Sequence, residues 1–208
     1  MLSRTSPPFR ADHVGSLLRP PRLHQARDDF AAGRIAADAL RSVEDEEITR
    51  AVRMQEEVGL QSATDGEFRR ATWHMDFIYQ IGGISKAPGH LAVKFTNPSG
   101  TIEWTPAALH VASRVRMDRT IFGGDFTYLK SQVSTAVPKL TIPSPNMVHY
   151  RGGPAMLDPA VYPDIEEFWA DLAAAYAEEV RRLGELGCTY LQFDDTSLAY
   201  LNDPAQRA

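Results

Sequence analysis

Thr64-Asp65-Gly66-Glu67-Phe68-Arg69-Arg70 is the stretch on which the reading of fold and function turns. A strand-like run, Gln61 to Asp65, ends in it, and a charge-dense loop takes over. Parallel α/β barrels place ligand-binding groups at strand ends of this kind, where an acidic side chain meets a loop. Glu67 has three readings at this position: acceptor for an ammonium group, base, or cap of a helix starting at Phe68. Asp65 is the alternative cap, and in that role it leaves Glu67 to a ligand. Arg69 and Arg70 read as solvated, or as partners of nearby acids.

Outward from this stretch the chain alternates strand and helix. Upstream, Phe9 to Val14 reads as a short strand closed by the Gly15-Ser16 turn, and a short helix follows Pro20-Pro21 and ends at Gly33. A long helix covers Ala37 to Val58, with Ile48, Ala51, Val52, Gln55 and Val58 near one face and Gly59 as its stop. Downstream, Phe68 to Tyr79 reads as helix. Residues 82–117 read as an inserted hairpin or small sheet, with β-prone runs at Leu91–Phe95, Thr101–Trp104 and Val111–Met117. Phe126 to Val137 is a helix candidate, and Lys139 to Ile142 a strand before Pro143-Ser144-Pro145. The strongest helical period runs from Pro163 to Leu186, and Thr189 to Phe193 is the last strand. Strands alternating with long helices imply parallel βαβ units in an α/β domain spanning residues 1–208. Four such strands make either an open sheet or half of an eight-stranded barrel.

Composition narrows the function. The chain has 208 residues, enough for one sizeable core, with ordinary hydrophobic and charged content. Its net charge of -5 offers no basic stripe for phosphates, which argues against nucleic acid as a partner. The single cysteine, Cys188, excludes an internal disulfide and fits a reducing compartment. No apolar run has the length of a membrane span, and Met1 to Arg10 lacks the apolar core of a signal peptide. A cytoplasmic protein without membrane contact is expected.

Two further stretches answer the first. Gln192-Phe193-Asp194-Asp195 ends an apolar strand in two carboxylates. Side chains alternate along a strand, so one of the two faces the strand-end pocket and the other turns away. Burying a carboxylate without partners is costly, so the inward one meets a cation or several donors; turn chemistry before Thr196-Ser197 is the alternative. His13-Val14-Gly15-Ser16 offers turn amides to an anion, with His13 reading as ligand or as hydrogen-bonded structural residue. His149 follows the Pro143-Ser144-Pro145 turn, which brings it near the strand ends. His74, His90, His110, His149 and Cys188 show no metal-ligand spacing, and there is no nucleophile elbow, P-loop or dinucleotide fingerprint.

Taken together, these stretches resemble the C-terminal catalytic domain of cobalamin-independent methionine synthase, and more closely its shorter single-barrel relatives. The residues that carry the resemblance are His13-Val14-Gly15-Ser16-Leu17-Leu18-Arg19-Pro20, Thr64 to Arg70, Lys139-Leu140-Thr141-Ile142-Pro143-Ser144-Pro145 and Gln192 to Asp195. The resemblance implies a (β/α)8 barrel that transfers a methyl group, from 5-methyltetrahydrofolate in the folate-using members, to the zinc-activated thiol of homocysteine. It implies that Gly15 and Ser16 hold the substrate carboxylate and that Glu67 and Asp194 grip its ammonium group. His13, Asp65, Asp195 and His149 stand beside them as secondary candidates. The Trp that stacks the pterin in folate-using members has no counterpart in 143–150. The family's zinc ligands, a His, two Cys and a Glu, lie in the second half of the barrel, and this chain stops before them. No metal ligand or catalytic residue is therefore expected here, and the chain reads as a truncated, N-terminal half-barrel that is inactive alone. The alternatives are a non-catalytic half-barrel that self-associates or docks a partner, and a coenzyme M-type thiol transferase. The Glu67 and Asp194 pair argues against the latter, because such a thiol has no ammonium group.

Overall fold

The computed structural model of the chain describes residues 6–88, 93–98, 100–104, 108–150 and 152–198. The first elements are α1 (Pro21–Ala31), α2 (Ala37–Glu57), β1 (Ser62–Ala63) and α3 (Met75–Ile78). Four strands follow: β2 (Gly82–Ala87), β3 (Val93–Asn97), β4 (Gly100–Trp104) and β5 (Ala108–Arg116). After them come α4 (Gly123–Gln132), β6 (Val137–Pro138), β7 (Leu140–Pro143) and α5 (Asn146–His149). A 3-10 turn at Gly153–Met156, α6 (Ile165–Glu185) and β8 (Leu191–Asp194) complete the order. The described residues form two compact units. One draws on the described residues within Met1–Trp73, Phe122–Ile142 and Arg182–Phe193, the other on those within His74–Ile121, Pro143–Arg181 and Asp194–Ala208.

In the first unit, α1, α2 and α4 pack around β1 and β6. Pro21 opens α1 at a position where its fixed φ suits the helix and its missing N–H costs nothing. The buried stripe of α2 (Ile48, Ala51, Val52) meets Leu23 of α1, Ala63 of β1, Leu129 of α4, Phe68 and Ala136. Such a stripe, recurring at three- and four-residue steps, is what makes a helix of modest propensity stable in a domain. The helix closes where Leu60 N–H returns to the Gln55 carbonyl. Next to this core, β1 pairs in parallel with β6, Ser62 opposite Val137 and Ala63 opposite Pro138. Lys139 N–H donates to Ala63 O, and Leu140 N–H to Tyr190 O, so β1, the β6–β7 segment and β8 are successive neighbours. A parallel bridge joins Ser16 to Gly66. Among the described residues the strands pair two by two and form no closed barrel.

In the second unit, β2 and β5 pair antiparallel with an irregularity between Gly82 and Ile84, and β3 pairs antiparallel with β4. Tyr162 fastens β5 to α6, accepting the Val115 N–H and donating to the Asp171 carboxylate. From α6, Phe168, Leu172, Ala175 and Tyr176 are buried, and Glu179 accepts the Ile121 N–H at 2.9 Å.

Three expected elements differ, each for a traceable reason. Residues 9–14 form no strand, because the segment is tied by its own side chains: His13 N–H donates to Asp12 Oδ1 and Gly15 N–H to His13 Nδ1. The helix expected over Phe68–Tyr79 is confined to Met75–Ile78. The carbonyls of Glu67, Phe68 and Arg70, which a helix would use four residues on, are taken by the guanidiniums of Arg19 and Arg27. The helix expected to reach Val137 ends at Gln132, because Glu56 of α2 captures the amides of Ser134, Thr135 and Ala136. Leu91, His90 and the chain from residue 199 onward lie outside the described residues.

Candidate functional site

The geometry around Glu67 is built from the end of β1 upward. Gln55, on the buried face of α2, acts as a strand substitute: its Oε1 accepts the Thr64 N–H and its Nε2 donates to the Thr64 carbonyl, both at 2.9 Å. With its backbone so held, Thr64 donates its hydroxyl to Gly15 O at 2.6 Å and accepts the Gly66 N–H. Asp65 Oδ1 then accepts the Glu67 N–H at 2.9 Å, an Asx turn that carries Gly66 and Glu67 through φ values of 67° and 59°. A left-handed residue other than glycine costs about 1 kcal/mol or more and persists where its surroundings over-determine it. Here Arg19 holds the carbonyls of Glu67 and Arg70 at 3.1 and 2.7 Å, and Arg27 holds those of Phe68 and Arg70. Asp65, which the sequence offered as an alternative to Glu67 for the cap, takes the local turn.

This turn presents the Glu67 carboxylate inward, with the residue 4% exposed. Thr141 Oγ1, from β7, donates to Glu67 Oε1 at 3.0 Å, and Arg70 Nη1 stands 3.6 Å from the same oxygen. Arg70 is 3% exposed, donates to Thr141 O at 2.7 Å and lies over the Phe122 ring. It is therefore paired and not solvated. Arg69 is likewise buried in an ion network with Glu44, Asp45 and Asp125. Burial raises the carboxyl pKa of Glu44 and Asp125 against the pull of Arg69.

Gly15 lies against this carboxylate. A Cβ there would stand 2.6 Å from Thr141 Cγ2 and 3.5 Å from Glu67 Oε1, and the residue has φ +116°. No other residue type fits both the space and the backbone angle. Ser16, next in the chain, is exposed, and Leu17 N–H donates to Gly66 O at 3.1 Å. Beneath the turn, Lys139 donates to His13 O at 2.6 Å and to Asp12 Oδ2 at 3.0 Å. Asp12 also accepts from Ser62, Tyr190 and the His13 N–H. Burial works to raise the Asp12 pKa, and the hydrogen bonds from Tyr190, Lys139, His13 and Ser62 outweigh it and lower it.

The structure thus brings His13, Gly15, Asp65 and Glu67 into one hydrogen-bonded cluster, with Ser16 at its rim. Asp194 belongs to the other unit, half-buried at the end of β8, with its carbonyl accepting the Ser144 N–H. Asp195 is exposed and tied into a turn, accepting from the Ser197 N–H, the Ser197 hydroxyl and Asn146 Nδ2. Partial burial would raise its pKa, but the Ser197 and Asn146 hydrogen bonds hold it below the usual range. His149 packs its ring on Trp169 and Phe168, and burial pushes its pKa down. Sequence reasoning passed over Asp12, Gln55, Lys139 and Thr141 as members of the cluster, whereas the pairing of Arg70 with a nearby acid was one of its two readings. Lys139 and Thr141 carried a signal, since polar residues two apart in an apolar strand share one face.

No protein-family model matches the chain. It is 42% identical over 190 residues to the uncharacterised protein YxjH of Bacillus subtilis (strain 168), covering 91% of this chain and 48% of that protein. Against a methionine synthase of Sulfurisphaera tokodaii it is 26% identical over 192 residues, covering 89% of this chain and 51% of the other. Among solved structures, a candidate vitamin-B12-independent methionine synthase from Listeria monocytogenes superposes with a TM-score of 0.78 at 39% identity. That match covers 95% of this chain and 55% of the other. The chain spans about half the length of the curated relatives it matches here. In sequence and in fold the chain is similar to about half of a cobalamin-independent methionine synthase-like protein.

Proposed function

We propose that this chain supplies the amino-acid-binding part of a methyltransferase of the cobalamin-independent methionine synthase type, with homocysteine as the thiol acceptor. The observation that carries the reading is the Glu67 carboxylate, held buried in a left-handed turn by Thr141, Arg19, Arg27 and Asp65. Backbone strain supported by this many partners is typical of ligand clamps. A carboxylate in such a poorly solvated place interacts strongly with an incoming ammonium group. On the family resemblance alone, Asp194 is proposed as a second acceptor for that group and the Gly15-Ser16 turn as a binder of the substrate carboxylate. In the arrangement proposed, the neighbouring strands β1, β6–β7 and β8, with the segment at Ser16, are the first four strands of a (β/α)8 barrel, and 82–117 is an insertion in it.

These residues bind and orient; they do not transfer the methyl group. Zinc in this family deprotonates and activates the thiol, as metals do for bound water and thiols. Among the described residues no three His, Cys, Asp or Glu side chains stand together as a metal site. The methyl donor is proposed as 5-methyltetrahydrofolate on the family resemblance alone.

The test is calorimetric binding of L-homocysteine and L-methionine to the purified chain. Glu67→Gln keeps the side-chain shape and an acceptor for Thr141 and removes the charge. It is expected to lower amino-acid affinity about tenfold or more, the worth of a hydrogen bond to a charged group. A chain that binds neither amino acid, or a variant that binds as well as the original, refutes the reading. A second reading, self-association of the half-domain, is favoured by apolar side chains left exposed in the first unit, Val14 at 68% and Phe193 at 45%.

A further inference from the structure

The state of His13 follows from one contact. Gly15 N–H donates to His13 Nδ1 at 3.2 Å. A neutral imidazole has one accepting and one protonated nitrogen, so this contact places the proton on Nε2. Nε2 is buried and has no hydrogen-bond partner among the described residues. An N–H left in that condition is costly and calls for an acceptor. The ring's backbone is held in place, because the His13 N–H is taken by Asp12 Oδ1 at 2.9 Å and its carbonyl by the buried Lys139 at 2.6 Å. The glycine whose amide orients the ring is the one packed against Glu67, 3.5 Å from the place of its missing Cβ to Oε1. One glycine is therefore flanked by a buried carboxylate and by a histidine with an unused N–H.

An α-amino acid carries its ammonium and carboxylate groups on a single carbon. A site that accepts from the first needs a donor to the second close by. We propose that His13 is the specificity-determining donor of this site, its Nε2–H binding the α-carboxylate of the amino acid whose ammonium group Glu67 accepts. The inference rests on the amino-acid reading of Glu67. The Gly15 amide is engaged by His13, so within the Gly15-Ser16 turn the imidazole that this amide orients joins Ser16 as donor to the anion. His13 acts by charge-assisted hydrogen bonding and takes no part in methyl transfer.

Two substitutions separate this role from a structural one. His13→Asn puts a carboxamide oxygen where Nδ1 stands, keeping an acceptor for Gly15, and has no atom at Nε2. His13→Gln reaches the Nε2 position with an N–H donor. The probes are L-methionine and 3-(methylthio)propylamine, which is methionine without its carboxylate, titrated into the full chain by calorimetry. The unsubstituted chain is expected to favour methionine. His13→Asn is expected to bind methionine about tenfold or more weakly while its affinity for the amine and its thermal midpoint are unchanged. His13→Gln is expected to recover part of the loss. Unchanged methionine affinity in His13→Asn, or equal losses for both probes, overturns the proposal. If the unsubstituted chain binds the two probes equally, His13 is excluded and the Glu67 reading stands; if it binds neither, the Glu67 reading itself falls. Should both variants unfold, the ¹⁵N resonance of His13 Nε2 decides, since no shift at saturating methionine overturns the proposal.

Discussion

Glu67 and Gly15 illustrate how one residue's conformation is set by others far away in the chain. Glu67 stands at φ 59° while the arginines that hold its turn lie on and just before α1. Gly15 stands at φ +116° with Thr141 Cγ2 where a side chain would begin. Gly15→Ala combines a steric clash with a disfavoured backbone angle and is expected to cost about 2–4 kcal/mol of unfolding free energy. Urea unfolding measures it, and a loss below about 0.5 kcal/mol would mean that the Thr141 contact is not tight in solution. Because Thr141 also donates to Glu67, a Gly15→Ala chain that still folds is expected to bind amino acids more weakly as well.

At the scale of elements, the join between α2 and the segment leading into β6 depends on Glu56. Its Oε1 accepts the amides of Ser134, Thr135 and Ala136, and its Oε2 the Ser134 hydroxyl. The Ala136 and Thr135 amides, followed by Ser134, lower its pKa from 4.5 to about 2. A carboxyl whose pKa is depressed on folding contributes stability above its unfolded pKa, and that contribution is lost as pH falls through the folded value. The Glu56 contribution is therefore complete above pH 4.5 and fades as pH falls toward 2. Glu56→Gln is expected to cost about 1–2 kcal/mol at neutral pH and to flatten the acid limb of the stability profile. Chemical denaturation of both chains at several pH values checks it, and parallel acid limbs would show that Glu56 is not the group responsible.

At the scale of the whole molecule, β8 pairs with β7, and no other described strand lies along it. Phe193 on β8 and Val14 in the first unit are large apolar side chains left in solvent. An unpaired strand edge with exposed apolar groups favours pairing with another chain. Sedimentation velocity at micromolar concentration is expected to show dimers or larger species, and Phe193→Glu to shift them toward monomer. A monomer at every concentration tested would remove the self-association reading and leave the binding proposals untouched. No helix among the described residues is long and apolar enough to cross a membrane.

The sequence by itself determined the long helices and the motifs. The apolar spacing of α2 and α6 is local, and their observed bounds, Ala37–Glu57 and Ile165–Glu185, fall within a residue or two of the expected ones. Thr64 to Arg70 was legible as a strand end with an exceptional loop, and as part of a family pattern. What that loop does with its backbone was decided by tertiary structure. Arg19 reaches carbonyls 48 and 51 residues ahead, and Lys139 meets Asp12 across 127 residues. Periodicity and propensity register neighbours a few positions apart, so they called residues 68–79 a helix and residues 9–14 a strand. The choice of hydrogen-bond partner is made by whichever donor the fold brings within 3 Å or so. At Glu67, Gly15 and His13 those donors and acceptors come from distant strands, helices and side chains. That is why the residues of the site could be named from sequence while their conformations could not.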